Sequence, residues 1–316
     1  MTLRLGVSVP VTRVAFDPRF DRLVPEGTPI TPHADGAIWA EGPVYIPDED
    51  AVLWSDVRSN AVRRWSDADG DSIVFQPSDF ANGHTLDHDG TVLACEHGRR
   101  RVSRYERDGT RSTVVDRFGA GRLNSPNDIV VASDGAIWFT DPPYGILDDS
   151  EGYKADSEQD GCFVYRVDRA SGEVTVASRD LVHPNGLAFS PDESVMYVSD
   201  TSIARPGGEN HHMLAFDVAQ GRRLENPRVF CVMEPGVSDG FRVDVDGNVW
   251  TSAGDGIHVL DADGVELGRI ILPEEASNCQ FGGPDGRRLF VTATSTLWSL
   301  PVGIRGVVTP WVTETD

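Results

Sequence analysis

Six times along the chain a short β-rich run closes on a small or acidic residue, most often after a tight turn rich in Asp and Gly. A repeat of that kind limits the fold more than any other feature. The runs are Val52-Leu53-Trp54-Ser55-Asp56, Val92-Leu93-Ala94-Cys95-Glu96, Ile137-Trp138-Phe139-Thr140-Asp141, Met196-Tyr197-Val198-Ser199-Asp200, Val249-Trp250-Thr251-Ser252-Ala253 and Leu289-Phe290-Val291-Thr292-Ala293. Their last residues, at 56, 96, 141, 200, 253 and 293, are spaced by 40, 45, 59, 53 and 40. The turns Asp89-Gly90, Asp134-Gly135, Asp246-Gly247 and Asp285-Gly286 precede them, where glycine supplies the positive φ of short hairpins. A further alternating strand follows each run, as at Arg101 to Tyr105, Phe163 to Val167 and Ile257 to Leu260, and usually another turn and strand after that. Four-stranded units repeated six times describe an all-β, six-bladed β-propeller. A pair of β-sandwiches explains the regular spacing less well, and no long stretch of helical period competes. The reading is one propeller domain over residues 1–316, with the N-terminal segment 1–40 helping to close the ring.

The repeat also locates a site. Counting back 14 or 15 residues from each landmark gives Glu41, Asn82, Asn127, Asn185, Asp239 and Asn278, each carrying a carboxylate or amide oxygen. The first strand of a propeller blade lines the central channel, so these positions predict a ring at one mouth of it. Two carboxylates and several amides there make a hard-oxygen site for one divalent cation, suited to Ca²⁺ or Mg²⁺ and less well to Zn²⁺. The competing reading takes Asn-Gly and Asp-Gly as turn signals alone. Against it, Glu41 is a poor turn former, and strands such as Pro43 to Ile46 and Ile129 to Val131 follow the ring residues.

Charge narrows the partners. Lys and Arg total 28 against 50 for Asp and Glu, a formal charge of −22, which repels phosphate backbones and anionic lipid, so neither nucleic acid nor membrane is expected as a partner. The four cysteines, Cys95, Cys162, Cys231 and Cys279, are far apart with no C-x-x-C pair, and read as free thiols. Residues 1–16 lack the pattern of a secretory signal and no run approaches a membrane span, so a cytoplasmic protein is expected.

Several strings, taken in order, resemble one known family. Glu41-Gly42-Pro43, Ser125-Pro126-Asn127-Asp128, Phe139-Thr140-Asp141-Pro142-Pro143-Tyr144-Gly145, Pro184-Asn185-Gly186-Leu187, Ser238-Asp239-Gly240 and Asn278-Cys279-Gln280-Phe281-Gly282-Gly283-Pro284-Asp285 are similar to the gluconolactonase family, also called SMP-30 or regucalcin-like. The likeness spans residues 41 to about 293 in blade order. It implies a six-bladed propeller with one divalent cation in the channel mouth, and hydrolysis of a sugar lactone. It further implies Glu41, Asn185 and Asp239 as metal ligands, Asn127 as a ligand or substrate contact, and Asp239 as catalytic acid/base. Some animal members carry an Arg two residues before the position of Asn127; here that residue is Ser125, so their substrate contacts do not transfer directly.

The chemistry of such a site follows from the ester. Hydrolysis develops negative charge on the lactone carbonyl oxygen, which a cation stabilises, and Asp239 takes a proton from water and returns it to the ring oxygen. A metal-bound hydroxide is the competing account of the base. A phosphotriesterase would use nearly the same ring, and a non-enzymatic Ca²⁺-binding propeller would keep its carboxylates. Asn82 and Asn278 are expected to contact substrate or to support the ligands. His84, two residues past Asn82, is either a channel-facing substrate contact or a satisfied structural histidine. The two widest gaps place extra residues in 142–161 and 202–212, expected to roof the pocket, with Tyr144 offering a ring or hydroxyl to a sugar; the acidic stretch 148–160 reads equally well as a solvated insertion.

Three other motifs are set aside on context. Gly236-Val237-Ser238-Asp239-Gly240 fits the nucleophile elbow of α/β-hydrolases, yet Phe241 to Asp244 continues as a strand where that elbow needs a helix. His84 and His88 have zinc-helix spacing within a strand-to-turn segment that lacks the required glutamate. Asp67 to Asp71 opens like an EF-hand loop, but its twelfth position is Ser78.

Overall fold

The computed structural model describes residues 4–205 and 207–307. Six antiparallel sheets follow one another around a ring. Blade 1 consists of strands Ala40–Ile46, Ala51–Asp56, Ala61–Ser66 and Gly70–Phe75, and blade 2 of Ala81–Leu86, Val92–Glu96, Arg101–Tyr105 and Arg111–Val115. Blade 3 has Ile129–Val131, Ile137–Thr140, Val164–Val167 and Val174–Ser178. Blade 4 has Pro184–Phe189, Val195–Asp200, His212–Ala219 and Arg223–Val232. Blade 5 runs from Phe241–Val243 through Val249–Ala253 and Gly256–Leu260 to Glu266–Ile271. Blade 6 takes Ala276–Gly282, Arg288–Ala293 and Thr296–Pro301 from the end of the chain and completes itself with Pro29–Ala34 from the beginning.

That exchange closes the ring. Trp298 pairs with Pro32 and Ser299 with Thr31, so the last blade is held by residues more than 260 positions away in sequence. The strand Thr12–Ala15 also adds to the outer edge of blade 5, and Val9–Pro10 to that of blade 6. The first strands of successive blades touch one another all the way round, from blade 6 back to blade 1. The expected six blades are therefore found, and Pro29–Ala34 is the strand that completes the sixth.

Burial grades outward through each blade. Ala51–Asp56 and Val92–Glu96 are wholly buried because each is flanked by strands of its own sheet and packed on both faces by neighbouring blades, whereas Gly70–Phe75 and Arg111–Val115 are largely open. Trp54, Trp138 and Trp250, all on second strands, are among the largest fully buried side chains, and each wedges between adjacent sheets. Burying a large apolar side chain of this kind contributes about 1.5–3 kcal/mol. The Asp-Gly turns have positive φ at Gly90, Gly135, Gly247 and Gly286. No helix among the described residues is long and apolar enough to cross a membrane.

Candidate active site

The six ring residues stand at or just before the start of the six first strands. What fixes them is a set of latches between blades. Ser55 Oγ donates to the carbonyl of Asn82 at 2.8 Å, Thr140 Oγ1 to that of Asn185 at 2.7 Å, and Ser199 Oγ to that of Asp239 at 3.1 Å. Each hydroxyl sits one residue before a landmark and reaches the next blade. Backbone amides add a second set: Gly83 N donates to Asn127 O and Gly186 N to Asp239 O, both at 2.9 Å. These contacts need glycine. A Cβ on Gly42 would lie 1.9 Å from Asn82 O, and one on Gly186 would lie 2.3 Å from Asp239 O. The ring is thus assembled mainly through main chain. The acidic landmarks cap the loops leading in: Asp56 accepts from Ile38 N at 3.0 Å, and Asp200 from Val182 N at 2.7 Å.

On one side of the mouth two carboxylates meet. Glu41 of blade 1 and Asp239 of blade 5 lie close enough for each to influence the other's ionisation. Asn278 of blade 6 donates to Glu41 Oε2 at 3.1 Å while its own Oδ1 is taken by Cys279 N at 2.8 Å. Asn185 donates from Nδ2 to Thr201 Oγ1 at 3.1 Å, and its amide beside Asp239 favours the charged carboxylate there. Burial pushes both carboxyls above the ordinary range, and the charge of Glu41 pushes Asp239 further. Two desolvated carboxylates this close need a proton or a cation between them. Below them the buried Asp128 faces Arg242 at 3.5 Å.

The donor set fits a hard divalent cation. Among the described residues no group of three or more His, Cys, Asp or Glu side chains is arranged to hold a metal ion by itself, so a cation at Glu41 and Asp239 would draw on amide or water oxygens as well. Asn185 and Asn127 are the amides available. The Asn127 side chain, 5% exposed, has no hydrogen-bond partner among the described residues.

The other side of the mouth is neutral and roofed. Asn82 and His97 of blade 2 are both buried, with Asn82 Nδ2 3.4 Å from His97 Nε2, and His97 Nδ1 3.0 Å from the carbonyl of Glu151. Residues 142–161 lie over them. Ser125 Oγ donates to Pro142 O at 2.6 Å and accepts from Gly145 N at 2.9 Å, so the residue standing where some relatives have Arg anchors the roof. Gly145 packs so closely that a Cβ would lie 2.4 Å from that of His97. Glu151 pairs with Arg58 at 2.7 Å and lies 3.9 Å from Arg205 of the 202–212 segment. Tyr144 bonds Thr201 and stacks beneath Arg205, 5.0 Å from its ring. The acidic stretch is consequently not a free insertion: Glu151 and Glu158 are both paired, the latter with Arg100 at 3.2 Å. An open cleft of about 740 Å³, lined by Ile203, His211, Glu234, Val237 and Arg269, flanks the loop that carries Asp239.

Several sequence candidates are placed elsewhere. His84 has both ring nitrogens engaged, Nδ1 with Gly42 O at 2.8 Å and Nε2 with the Tyr105 hydroxyl at 3.2 Å, and burial lowers its pKa to about 4. It is the satisfied structural histidine, tying blade 2 to blade 1. The Tyr144 hydroxyl is likewise engaged, with Thr201 Oγ1, and its ring packs between His183 and Arg205. Ser238 Oγ shares a hydrogen with Thr251 Oγ1 at 2.6 Å and leads into the strand Phe241–Val243, which removes the nucleophile elbow. His88 bonds Ala132 O at 3.1 Å from a turn. Asp67 and Asp69 pair with Arg288 and Arg64 at 2.6 and 3.0 Å, and Asp71 with Arg63, which leaves no EF-hand.

Sequence reasoning missed the latch hydroxyls, His97, Glu151 and Thr201. The latches carried a readable signal, since five of the six runs place Ser or Thr one residue before the landmark, Cys95 being the exception. The others had none, because their roles arise only where loops from different blades meet.

With this geometry in view, likeness to known proteins can be weighed. Residues 39–295 match the SMP-30/Gluconolactonase/LRE-like region family. A gluconolactonase of Zymomonas mobilis is 34% identical over 298 residues, covering 88% of this chain and 83% of that protein. A pentonolactonase of Haloferax volcanii is 31% identical over 264 residues, covering 80% of each. The solved structure of a gluconolactonase from Xanthomonas campestris superposes with a TM-score of 0.87 at 37% identity, covering 95% of this chain and 98% of that one.

Proposed function

The chain belongs to the SMP-30/gluconolactonase/LRE-like family, and on that premise we propose that this lactonase opens the ring of a sugar lactone at the channel mouth, with Asp239 moving the proton. The observation that supports this reading is the proximity of the Glu41 and Asp239 carboxyls, buried between the amides of Asn185 and Asn278. Glu41, Asn185 and Asp239 would hold a divalent cation, Ca²⁺ by the hardness of these donors, with Asn127 as a further ligand or a substrate contact. When bound, that cation supplies Lewis acidity to the lactone carbonyl.

The chain's own residues perform the rest. Asp239 accepts a proton from the water whose oxygen bonds to the carbonyl carbon. As the bond between that carbon and the ring oxygen breaks, the same carboxyl returns the proton to the ring oxygen, giving the open hydroxy acid. Asn278 holds Glu41 in place by donating to Oε2, and the Ser199 latch fixes the main chain of Asp239. Asn82, uncharged and beneath the roof, would meet a hydroxyl of a sugar ring, and Asn127 would do so where it is not itself a ligand.

Turnover of D-glucono-1,5-lactone and a pentonolactone, measured before and after chelation and on adding back Ca²⁺, Mg²⁺ or Zn²⁺, tests the reading. Loss with chelator and recovery with Ca²⁺ is expected. Undiminished hydrolysis after exhaustive chelation would remove the cation, and no turnover of any sugar lactone would remove the function.

A further inference from the structure

Asn82 and His97 form a buried pair whose orientation is decided by the roof above it. The carbonyl of Glu151 can only accept, so at 3.0 Å it requires the hydrogen of His97 to sit on Nδ1. Burial lowers the pKa of His97, so the ring is neutral and Nε2 is a bare acceptor. Asn82 must therefore turn its NH₂ toward Nε2, as found, which points its Oδ1 the other way. That oxygen has no hydrogen-bond donor among the described residues, although Asn82 is only 5% exposed. The oxygen is not sealed from solvent, so an acceptor without a protein donor stands open to one that a ligand supplies.

We propose that His97 is a positioning residue that fixes the Asn82 side chain as a hydrogen-bond acceptor for a hydroxyl of the substrate, so that Asn82 distinguishes hydroxylated lactones from bare ones. The inference rests on the lactonase reading and adds to it which group reads the sugar and what aims that group. The main chain of residue 151 takes part, because its carbonyl sets the tautomer. Arg58 and Arg205 hold Glu151 in place, so the roof and the acceptor form one unit. A rotated Asn82 would present its NH₂ to the mouth and leave two acceptors, its own Oδ1 and the bare Nε2, facing each other at His97.

The test compares D-glucono-1,5-lactone with δ-valerolactone, its parent ring without hydroxyls. His97→Leu, which cannot accept from Asn82, is expected to raise KM for the sugar lactone about tenfold, the value of one hydrogen bond, with kcat and the KM for δ-valerolactone nearly unchanged. His97→Gln keeps an acceptor and a donor and should restore most of the loss. In an Asn82→Ala background His97→Leu should add nothing, since the two act through one contact. Thermal melts of each variant establish that the fold persists. Equal effects on both lactones, full loss in His97→Gln, or additivity with Asn82→Ala would overturn the proposal. Turnover by the unmodified protein judges the lactonase reading separately. Should turnover be absent, calorimetric binding of D-gluconate to the same variants gives the ratios that decide the positioning role.

Discussion

The two sides of the channel mouth are built alike and furnished differently. Blades 1 and 5 contribute Glu41 and Asp239, and blades 2 and 3 contribute Asn82 and Asn127, all at the same step of the same strand repeat. The latches do not distinguish them: Ser55 holds the main chain of Asn82 much as Ser199 holds that of Asp239. The difference lies in what faces each side chain. The carboxylates meet each other and two amides, which concentrates negative charge where a cation is wanted. Asn82 meets a histidine and a roof of loops, which leaves its Oδ1 an acceptor without a protein donor. A repeated scaffold thus sets position through its backbone, and on the proposed reading single side chains then divide the mouth into a charged half and a hydroxyl-reading half.

The comparison is tested most severely within the charged half. On the proposed reading Asp239→Asn keeps an oxygen but removes the base, whereas Glu41→Gln removes only charge from the ligand set. At saturating Ca²⁺ Asp239→Asn is expected to remain about 10²–10⁴ below the unmodified kcat, the usual size of a general-base contribution. Glu41→Gln should recover much of its activity, its defect being affinity, read as a shifted Ca²⁺ titration. Equal recovery of both would move proton transfer to another group. Ser238→Ala, measured alongside, should change little, because its hydroxyl serves Thr251.

A smaller effect separates the halves through their glycines. A Cβ on Gly240 would lie 2.0 Å from the Asn278 side chain, and one on Gly83 would lie 2.5 Å from Asn127 O. Either Ala substitution overpacks a blade contact and should cost about 1–3 kcal/mol of stability, visible in thermal or urea melts. Gly240→Ala should also weaken Ca²⁺ binding, because Asn278 steadies Glu41. Gly83→Ala should instead raise KM for the hydroxylated lactone. If both variants lose Ca²⁺ and substrate binding in equal proportion, the mouth is one undivided site.

Much of this was legible in the sequence because propeller geometry is periodic. Val92–Glu96 and Arg101–Tyr105 fall where alternation puts them, and other strands differ at their ends, as Ala51–Asp56 and Arg288–Ala293 begin one residue early. The ring positions were legible for the same reason, each being a fixed count from a landmark. The closing strand Pro29–Ala34 was expected only as a segment, since its pairing partner lies at the far end of the chain and no local pattern names it. His84 illustrates the limit at single residues. Its place two residues from Asn82 allows either role, and only the distance to Gly42 O and Tyr105 decides. The roof was visible as excess spacing, but its clamp joins Arg58, Glu151 and Arg205 from three loops, and such meetings have no period.

The mildest test perturbs the closure of the ring and should leave both halves of the mouth working. His33, on the strand Pro29–Ala34, stacks on Trp65 with ring centroids 3.9 Å apart. Its Nε2 lies 2.7 Å from Ser299 Oγ and 3.2 Å from Arg288 Nη2. Because the guanidinium can only donate, Nε2 must be bare and the imidazole neutral. Burial, and then the charge of Arg288, lowers its pKa to about 4 from an ordinary value of 6.5. Above pH 6.5 neither the folded nor the unfolded histidine carries the proton, and the group costs nothing. As pH falls from 6.5 toward 4 the unfolded chain binds a proton that the folded one refuses, so stability declines across that window. His33→Gln removes this titration. Urea melts at intervals from pH 7 to 4 should show a shallower acid decline in His33→Gln than in the unmodified protein, with lactone turnover at pH 7 the same in both. An unchanged acid slope would mean that His33 is protonated in the folded state and that Arg288 has turned away from it.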